Sequence, residues 1–142
     1  MKTWLSILLF TAVGFQQGYS QHNLRINISG VDSNKGVIAV ALYDSEDNFL
    51  DFKKAYRFIR IPVAQQHHAV FEHITSGDYA VVVFYDKNSN DQLDTNFIGI
   101  PKEAFGTSGV SKNSLGPPRY NNCKFYVNKD KEIQVRLKKL FQ

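Results

Sequence analysis

Alternation of apolar and polar residues recurs along this chain and predicts β-strands. Residues 24–29 and 56–61 alternate in this way, as expected for strands with one buried face. Residues 37–43 form an almost continuous apolar run, which indicates a central strand covered on both faces. The remaining predicted strands cover residues 68–74, 78–85, 124–127 and 132–137.

About seven strands without a long helical periodicity predict an all-β domain. The expected architecture is a single antiparallel β-sandwich with Greek-key connections of the immunoglobulin or transthyretin type. The first two strands are expected to form a hairpin, in which Gly36 supplies a positive φ. A loop with one helical turn is expected at residues 44–50.

One long loop follows the fifth strand, from Lys87 to about Arg119. Loops longer than about 12–15 residues are often functional. Apolar side chains within it predict that it packs against the sandwich; they are Phe97, Ile98, Ile100, Phe105 and Leu115.

The N-terminus has the pattern of a secretory signal peptide, predicted at residues 1–20. Lys2 precedes an apolar run at residues 4–15, and small residues at Gly18 and Ser20 suit a peptidase cut. The alternative, a membrane anchor, is disfavoured because the run is short. The domain is therefore predicted at residues 21–142, exported to the periplasm or outside the cell.

Composition narrows the classes of function. Cys123 is the single cysteine, so no internal disulfide can form, and packing, or packing with a metal, must stabilise the fold. Without the leader the charge is 16 basic minus 13 acidic residues, or +3, and it is spread along the chain. No nucleic-acid partner is predicted. The basic C-terminal end is interpreted as solvated, and binding to an anionic surface stays an alternative.

An oxygen-rich loop at residues 86–103 carries the candidate chemistry. Its spacing resembles that of a calcium-binding EF-hand loop, with oxygens at positions 1, 3, 5, 7 and 9. These positions are Asp86, Asn88, Asn90, the Gln92 carbonyl and Asp94. Phe97 occupies position 12, where an EF-hand has a bidentate Glu, so another carboxylate is needed. Glu103, Asp44 and Asp47 are the candidates, and the alternative is a loop stabilised by its own Asx turns.

No catalytic set is predicted. The histidines lack zinc-ligand spacing, because His68 and His73 are expected on opposite faces of one strand. Cys123 is interpreted as a buried small residue, and Ser108 lacks the flanking glycines of a nucleophile elbow. Asp94 and Glu103 could be paired acids, as in glycosidases, but nothing in the sequence sets their separation.

Several motifs resemble a bacterial family called domain of unknown function 2141. They lie at residues 35–37, 40–49, 77–81, 85–96, 99–103 and 116–118. The resemblance implies a small secreted β-sandwich without an established activity. Tyr85 and Asp91 depart from the family pattern, which usually has His and Gly at these positions.

The function expected from these features is a non-catalytic binding or structural module of the cell envelope, stabilised by calcium. Its partner would be an envelope polysaccharide, another envelope protein or a peptide added to a sheet edge. The mature protein is not expected to span a membrane. The alternative is a small secreted hydrolase that uses Asp86, Asp94 and Glu103.

Overall fold

The computed structural model describes residues 20–90, 92–98, 101–109 and 117–139. The predicted signal peptide therefore lies almost wholly outside the described residues, as do Asp91, Ile100 and Leu115. Eight strands occur within these ranges: β1 (Gln21–Ser29), β2 (Val37–Tyr43), β3 (Arg57–Pro62), β4 (His68–Thr75), β5 (Gly77–Asp86), β6 (Phe105–Thr107), β7 (Phe125–Val127) and β8 (Lys131–Arg136). A 3-10 helix covers Phe52–Lys54, and helix α1 covers Tyr120–Cys123.

The strands form two sheets, which confirms the predicted β-sandwich. One sheet has the order β4-β1-β8, and the other has the order β3-β2-β5-β6, with β7 also paired to β5. One pair departs from the antiparallel pattern, because β1 and β8 run parallel. The predicted hairpin of the first two strands is wrong: β1 and β2 belong to different sheets. The residues between them carry the chain across the sandwich, with Gly36 at φ +89°.

The core between the sheets follows from the alternation of apolar residues. Leu24 and Ile26 of β1 face inward and are fully buried, as are Val81 and Val83 of β5. Burying one such side chain contributes about 1.5–3 kcal/mol, so this layer is the main source of stability.

The outer face of the larger sheet is covered as well. Ala41, Tyr43, Ala80 and Val82 form a second buried cluster, against which Phe49, Phe52 and Phe58 pack. Tyr120 and Cys123 of α1 complete this cluster. The prediction that β2 is covered on both faces is therefore confirmed. The covering segment contains a turn at residues 47–50 and the 3-10 helix.

The end of β5 sets the position of the oxygen-rich loop. Asp86 pairs with Val37 at the start of β2, and Ala80 pairs with Tyr43 at its end. Strand β6 then returns from the loop and pairs with β5, with Phe105 opposite Phe84. The long loop is thus divided, and residues 87–104 connect two neighbouring strands. A three-residue strand is too short for its alternation to be recognised in the sequence.

Candidate functional site

Asp86 is the anchor of the oxygen-rich loop. It ends β5 and is fully buried, although most aspartates lie at the surface. Its Oδ1 accepts a hydrogen bond of 3.1 Å from the backbone amide of Asn90. This hydrogen bond brings the amide of Asn90 back to the end of β5, so the chain reverses direction within four residues of Asp86.

Asx turns continue this chain reversal. The backbone amide of Asn90 also donates to Asn88 Oδ1 at 3.3 Å, and the amide of Gln92 donates to Asn90 Oδ1 at 2.9 Å. Ser89 lies between them with φ +58°, a left-handed conformation that tight reversals use. The side chains of Asp86, Asn88 and Asn90, at loop positions 1, 3 and 5, therefore all accept hydrogen bonds from backbone amides.

Asp94 accepts hydrogen bonds from the side chains of Asn88 and Asn90. The Nδ2 group of Asn88 donates to Asp94 Oδ2 at 2.8 Å, and that of Asn90 donates to Asp94 Oδ1 at 2.9 Å. Both oxygens of one carboxylate thus accept hydrogen bonds from side-chain amides at alternate positions of the loop. These amides place partial positive charge where the carboxylate is negative.

Glu103 joins the two ends of the loop. Its Oε1 accepts the backbone amide of Lys87 at 3.0 Å, and its Oε2 accepts that of Asp94 at 3.2 Å. Only 8% of its surface is exposed. Burial raises the pKa of Glu103 above its ordinary value, the two backbone amides lower it, and the charges of Asp94 and Asp86 raise it.

The structure thus brings together Asp86, Asn88, Asn90, Gln92, Asp94 and Glu103. It does not bring Asp44 or Asp47 to them. Those residues follow Tyr43, which pairs with Ala80, whereas Asp86 pairs with Val37 at the other end of β2. Six residue steps along a strand correspond to roughly 20 Å. The suggestion that Asp44 or Asp47 completes the site is therefore wrong.

The described residues contain no group of three or more His, Cys, Asp or Glu side chains arranged to hold a metal ion. The oxygen-rich loop instead combines carboxylates with amide oxygens and a backbone carbonyl. Each amide or carboxylate oxygen has two acceptor lone pairs. In the hydrogen bonds described above, each side-chain oxygen of Asn88, Asn90 and Asp94 uses one lone pair, so the second can accept a further partner.

Phe97 and Ile98 form an apolar tip within the oxygen-rich loop. Thr95 and Pro101 are bridged at its base, and the backbone amide of Lys102 donates to the carbonyl of Asp94 at 2.8 Å. Phe97 is 97% exposed and Ile98 is 63% exposed. The prediction that these two residues pack against the sandwich is therefore wrong, because both side chains are largely exposed.

An outer cleft of about 330 Å³ lies beside the oxygen-rich loop. It is lined by Phe52, Lys53, Phe58, Arg60, Asn90 and Gln92. The sequence does not reveal this cleft, because its walls come from the 3-10 helix, β3 and the loop. No spacing rule connects residues from such separate segments.

The other candidate groups have structural contacts. Ser108 Oγ donates to the Cys123 carbonyl at 2.6 Å and accepts the Val81 amide at 2.9 Å, while Cys123 is buried as predicted. The face assignment of His73 is wrong, because β4 has an irregular register there and His73 takes φ +57°. Strand parity fails wherever an extra residue is inserted.

Fold and site together define a small two-sheet β-protein with an oxygen-rich loop at one end of a central strand. A family model described as "Uncharacterized protein conserved in bacteria", domain of unknown function 2141, matches residues 26–135. The chain belongs to this family, which confirms the resemblance. Neither the curated proteins nor the solved structures yielded a match. Among the described residues, no helix has both the length and the apolar character needed to cross a membrane.

Proposed function

We propose that this protein is an exported, non-catalytic binding or structural module of the cell envelope, whose oxygen-rich loop is stabilised by Ca²⁺. One observation carries the proposal: the side chains of Asn88 and Asn90 converge on the carboxylate of Asp94, four to six residues away. A loop encloses a hard cation with oxygen ligands from alternate positions. Here the same alternate positions meet at Asp94 through their Nδ2 donors, which a cation would replace.

The hydrogen bonds indicate where the cation would bind. The Nδ2 groups now compensate the charge of Asp94. Rotation of these amides would present their oxygens to a cation instead, and it would break the Asx-turn hydrogen bonds that these oxygens accept from the backbone. Asp86, Asp94 and the Gln92 carbonyl would supply further oxygens, and Glu103 would supply the carboxylate that position 12 lacks. An ion of charge +2 would also offset the repulsion among these acids, which contributes to the raised pKa of Glu103.

The contacts favour this function over a hydrolase. A general acid and its partner carboxylate must face a substrate across an accessible cleft. Glu103 is instead buried with both oxygens bonded to backbone amides, and Asp94 is bonded to two asparagines. The cleft beside the loop is lined by Asn90 and Gln92 rather than by these carboxylates.

The test measures thermal unfolding and binding heat in Ca²⁺ and in chelator. Extracellular calcium sites have Kd values of about 10⁻⁴–10⁻³ M. A Kd of about 1 mM at about 10 mM Ca²⁺ corresponds to roughly 1.4 kcal/mol of added stability. We expect Tm to rise by several degrees and calorimetry to show saturable heat. No heat and an unchanged Tm would refute the calcium proposal.

The variant Asn88→Asp distinguishes a cation site from a loop held only by Asx turns. It replaces an amide donor to Asp94 with a carboxylate, so it destabilises the calcium-free protein by charge repulsion. In a cation site the added charge tightens Ca²⁺ binding, because affinity depends on ligand charge. In a simple Asx loop, the variant stays destabilised at every Ca²⁺ concentration. Asp47→Asn is the control, because Asp47 is exposed and distant from the loop.

A further inference from the structure

Tyr43 has a buried hydroxyl group without a hydrogen-bond partner among the described residues. The whole side chain is 0% exposed. Two other buried tyrosines differ, because the Tyr79 hydroxyl donates to the Thr75 carbonyl at 2.9 Å and the Tyr120 hydroxyl donates to the Asp78 carbonyl at 3.1 Å. A buried hydroxyl that makes no hydrogen bond costs free energy, so such groups are rare. The Tyr43 hydroxyl therefore has a donor that the fold itself does not use.

The surroundings of this hydroxyl define what it can bind. The rings of Phe49 and Phe52 lie against Tyr43, with centroid distances of 5.3 and 6.4 Å. Burial raises the pKa of Tyr43 above its ordinary value, and the charge of Asp51 raises it further, so the hydroxyl keeps its proton. In these apolar surroundings a neutral acceptor such as a carbonyl is favoured over a carboxylate, because a buried charge loses more hydration.

Phe52 lies between Tyr43 and the outer cleft. Its ring contacts Tyr43 on one side and forms part of the cleft wall on the other. It also packs edge-on against Phe84 of β5, with a centroid distance of 4.8 Å. Rotation of this one side chain would therefore join the cleft to the space next to the Tyr43 hydroxyl.

The covering segment that carries Phe52 is held by local backbone contacts. The amide of Phe49 donates to the Glu46 carbonyl at 3.1 Å, and the amide of Lys54 donates to the Asp51 carbonyl at 2.9 Å. Leu50 takes φ +70°, a left-handed conformation that is unfavourable for a bulky side chain. The segment can shift without breaking these strand pairings, because its backbone belongs to neither sheet.

The chemistry of the cleft itself adds a second requirement. Phe52 and Phe58 supply apolar walls, and the volume of about 330 Å³ is at the lower end of the range of ligand pockets. Lys53 lines the cleft and is exposed, so it places a positive charge at the mouth. A ligand that fits both regions has an apolar body, a negative charge at one end and a neutral acceptor at the other.

We propose that Phe52 swings outward and that the protein then binds a small apolar carboxylate with a carbonyl group at its far end. The apolar body would pack against Phe52 and Phe58. The carboxylate would lie at Lys53, and the carbonyl would accept the hydrogen bond that Tyr43 offers. The bound molecule would thereby supply the partner that the Tyr43 hydroxyl lacks.

This site goes beyond the proposed function, because Tyr43 and Phe52 lie outside the oxygen-rich loop. The cleft shares Asn90 and Gln92 with that loop, so binding is measured both in Ca²⁺ and in chelator. Dependence of binding on Tyr43 is expected in both conditions. Saturable calcium heat without ligand binding would overturn this site and keep the calcium proposal, and the reverse result would do the opposite.

Thermal unfolding of the ligand-free protein tests the state of the hydroxyl. Tyr43→Phe removes only this group, so we expect Tm to stay the same or to rise, because a buried donor without a partner opposes folding. Tyr120→Phe is the matched control and is expected to lower Tm, because it loses the hydrogen bond to the Asp78 carbonyl. A decrease in the Tm of Tyr43→Phe would overturn the proposal, because the hydroxyl would then have a partner in the free protein.

Two probes of nearly equal shape test recognition of the carbonyl. In para-acetylbenzoate a carboxylate and a carbonyl stand at opposite ends of a ring, whereas para-isopropylbenzoate lacks the carbonyl. Ligands of this size are expected to bind with a Kd on the order of 1 mM, which NMR titration measures. Tyr43→Phe should weaken binding of para-acetylbenzoate about fivefold and leave that of para-isopropylbenzoate unchanged. An equal effect on both probes, or no binding of para-acetylbenzoate to the wild type, would overturn the proposal.

The orientation of the probe provides an independent measurement. Lys53→Gln is expected to weaken binding of para-acetylbenzoate about threefold, because it removes the charge at the mouth. Lys54→Gln is the matched control, since Lys54 pairs with Asp51 at 3.5 Å and does not line the cleft. Nuclear Overhauser effects are expected between the acetyl methyl group and the ring of Tyr43. Their absence, or equal effects of the two lysine variants, would overturn the proposed site.

Discussion

The sandwich core and the oxygen-rich loop are stabilised by different interactions. Fully buried side chains such as Ile26 and Val83 fill the core, where apolar burial and backbone pairing contribute most of the stability. The loop instead depends on carboxylates and amides that bond to one another and to the backbone, as Asp94 and Glu103 do. Apolar burial responds little to pH or to divalent ions, whereas charged groups respond to both. The two regions should therefore be separable by experiment.

The largest effect is expected in the core. Phe71 of β4 is 1% exposed, and Phe71→Ala removes most of a ring from the space between the sheets. We expect a loss of about 3–5 kcal/mol in the free energy of unfolding. Urea denaturation in Ca²⁺ and in chelator should give the same loss. A loss that depends on Ca²⁺ would contradict the separation of core and loop.

A smaller effect is expected at the centre of the loop. Asp94→Asn retains the shape of the side chain but removes the charge that binds the amides of Asn88 and Asn90. We expect a loss of about 1–2 kcal/mol in chelator and disappearance of the response to Ca²⁺. Asp47→Asn should keep that response. Persistence of the calcium response in Asp94→Asn would show that Asp94 is not a ligand.

The pH dependence of stability should arise in part from Glu103. Its pKa is raised in the folded protein, mainly by burial, so the folded protein binds this proton more tightly than the unfolded chain. Its contribution is complete below the unfolded pKa and is lost as the pH rises through the folded pKa. In chelator, the wild type should lose stability relative to Glu103→Gln as the pH rises from about 4 to 7. Urea midpoints across this range provide the measurement, and parallel curves would contradict the prediction.

The smallest effect on folding is expected at the apolar tip. Phe97→Ser removes a ring that is 97% exposed, so the free energy of unfolding should change by less than about 0.5 kcal/mol. Urea denaturation at low protein concentration provides the measurement. A larger loss would show that Phe97 packs within its own molecule. In that case the apolar tip, like the core, would be stabilised by apolar burial.

The sequence alone determined seven of the eight described strands and the location of the oxygen-rich loop. Alternation at residues 24–29 and the apolar run at 37–43 are local signals, because side-chain direction along a strand has a period of two. The positive φ of Gly36 was also predictable, because it depends on one residue type in one turn. The cluster of Asp and Asn after β5 was evident for the same reason.

Only the tertiary structure decided which distant residues meet. It placed Glu103 beside the oxygen-rich loop and left Asp44 and Asp47 away from it, since strand pairing places the last two at the opposite end of β2. It also paired β1 with β8 in parallel, added β6 beside β5 and left Phe97 exposed. Local periodicity contains no information about which strands become neighbours, because pairing depends on closing loops and burying both sheets at once. The sequence therefore shows which residue types the candidate site contains, and only the fold shows which of these residues lie together.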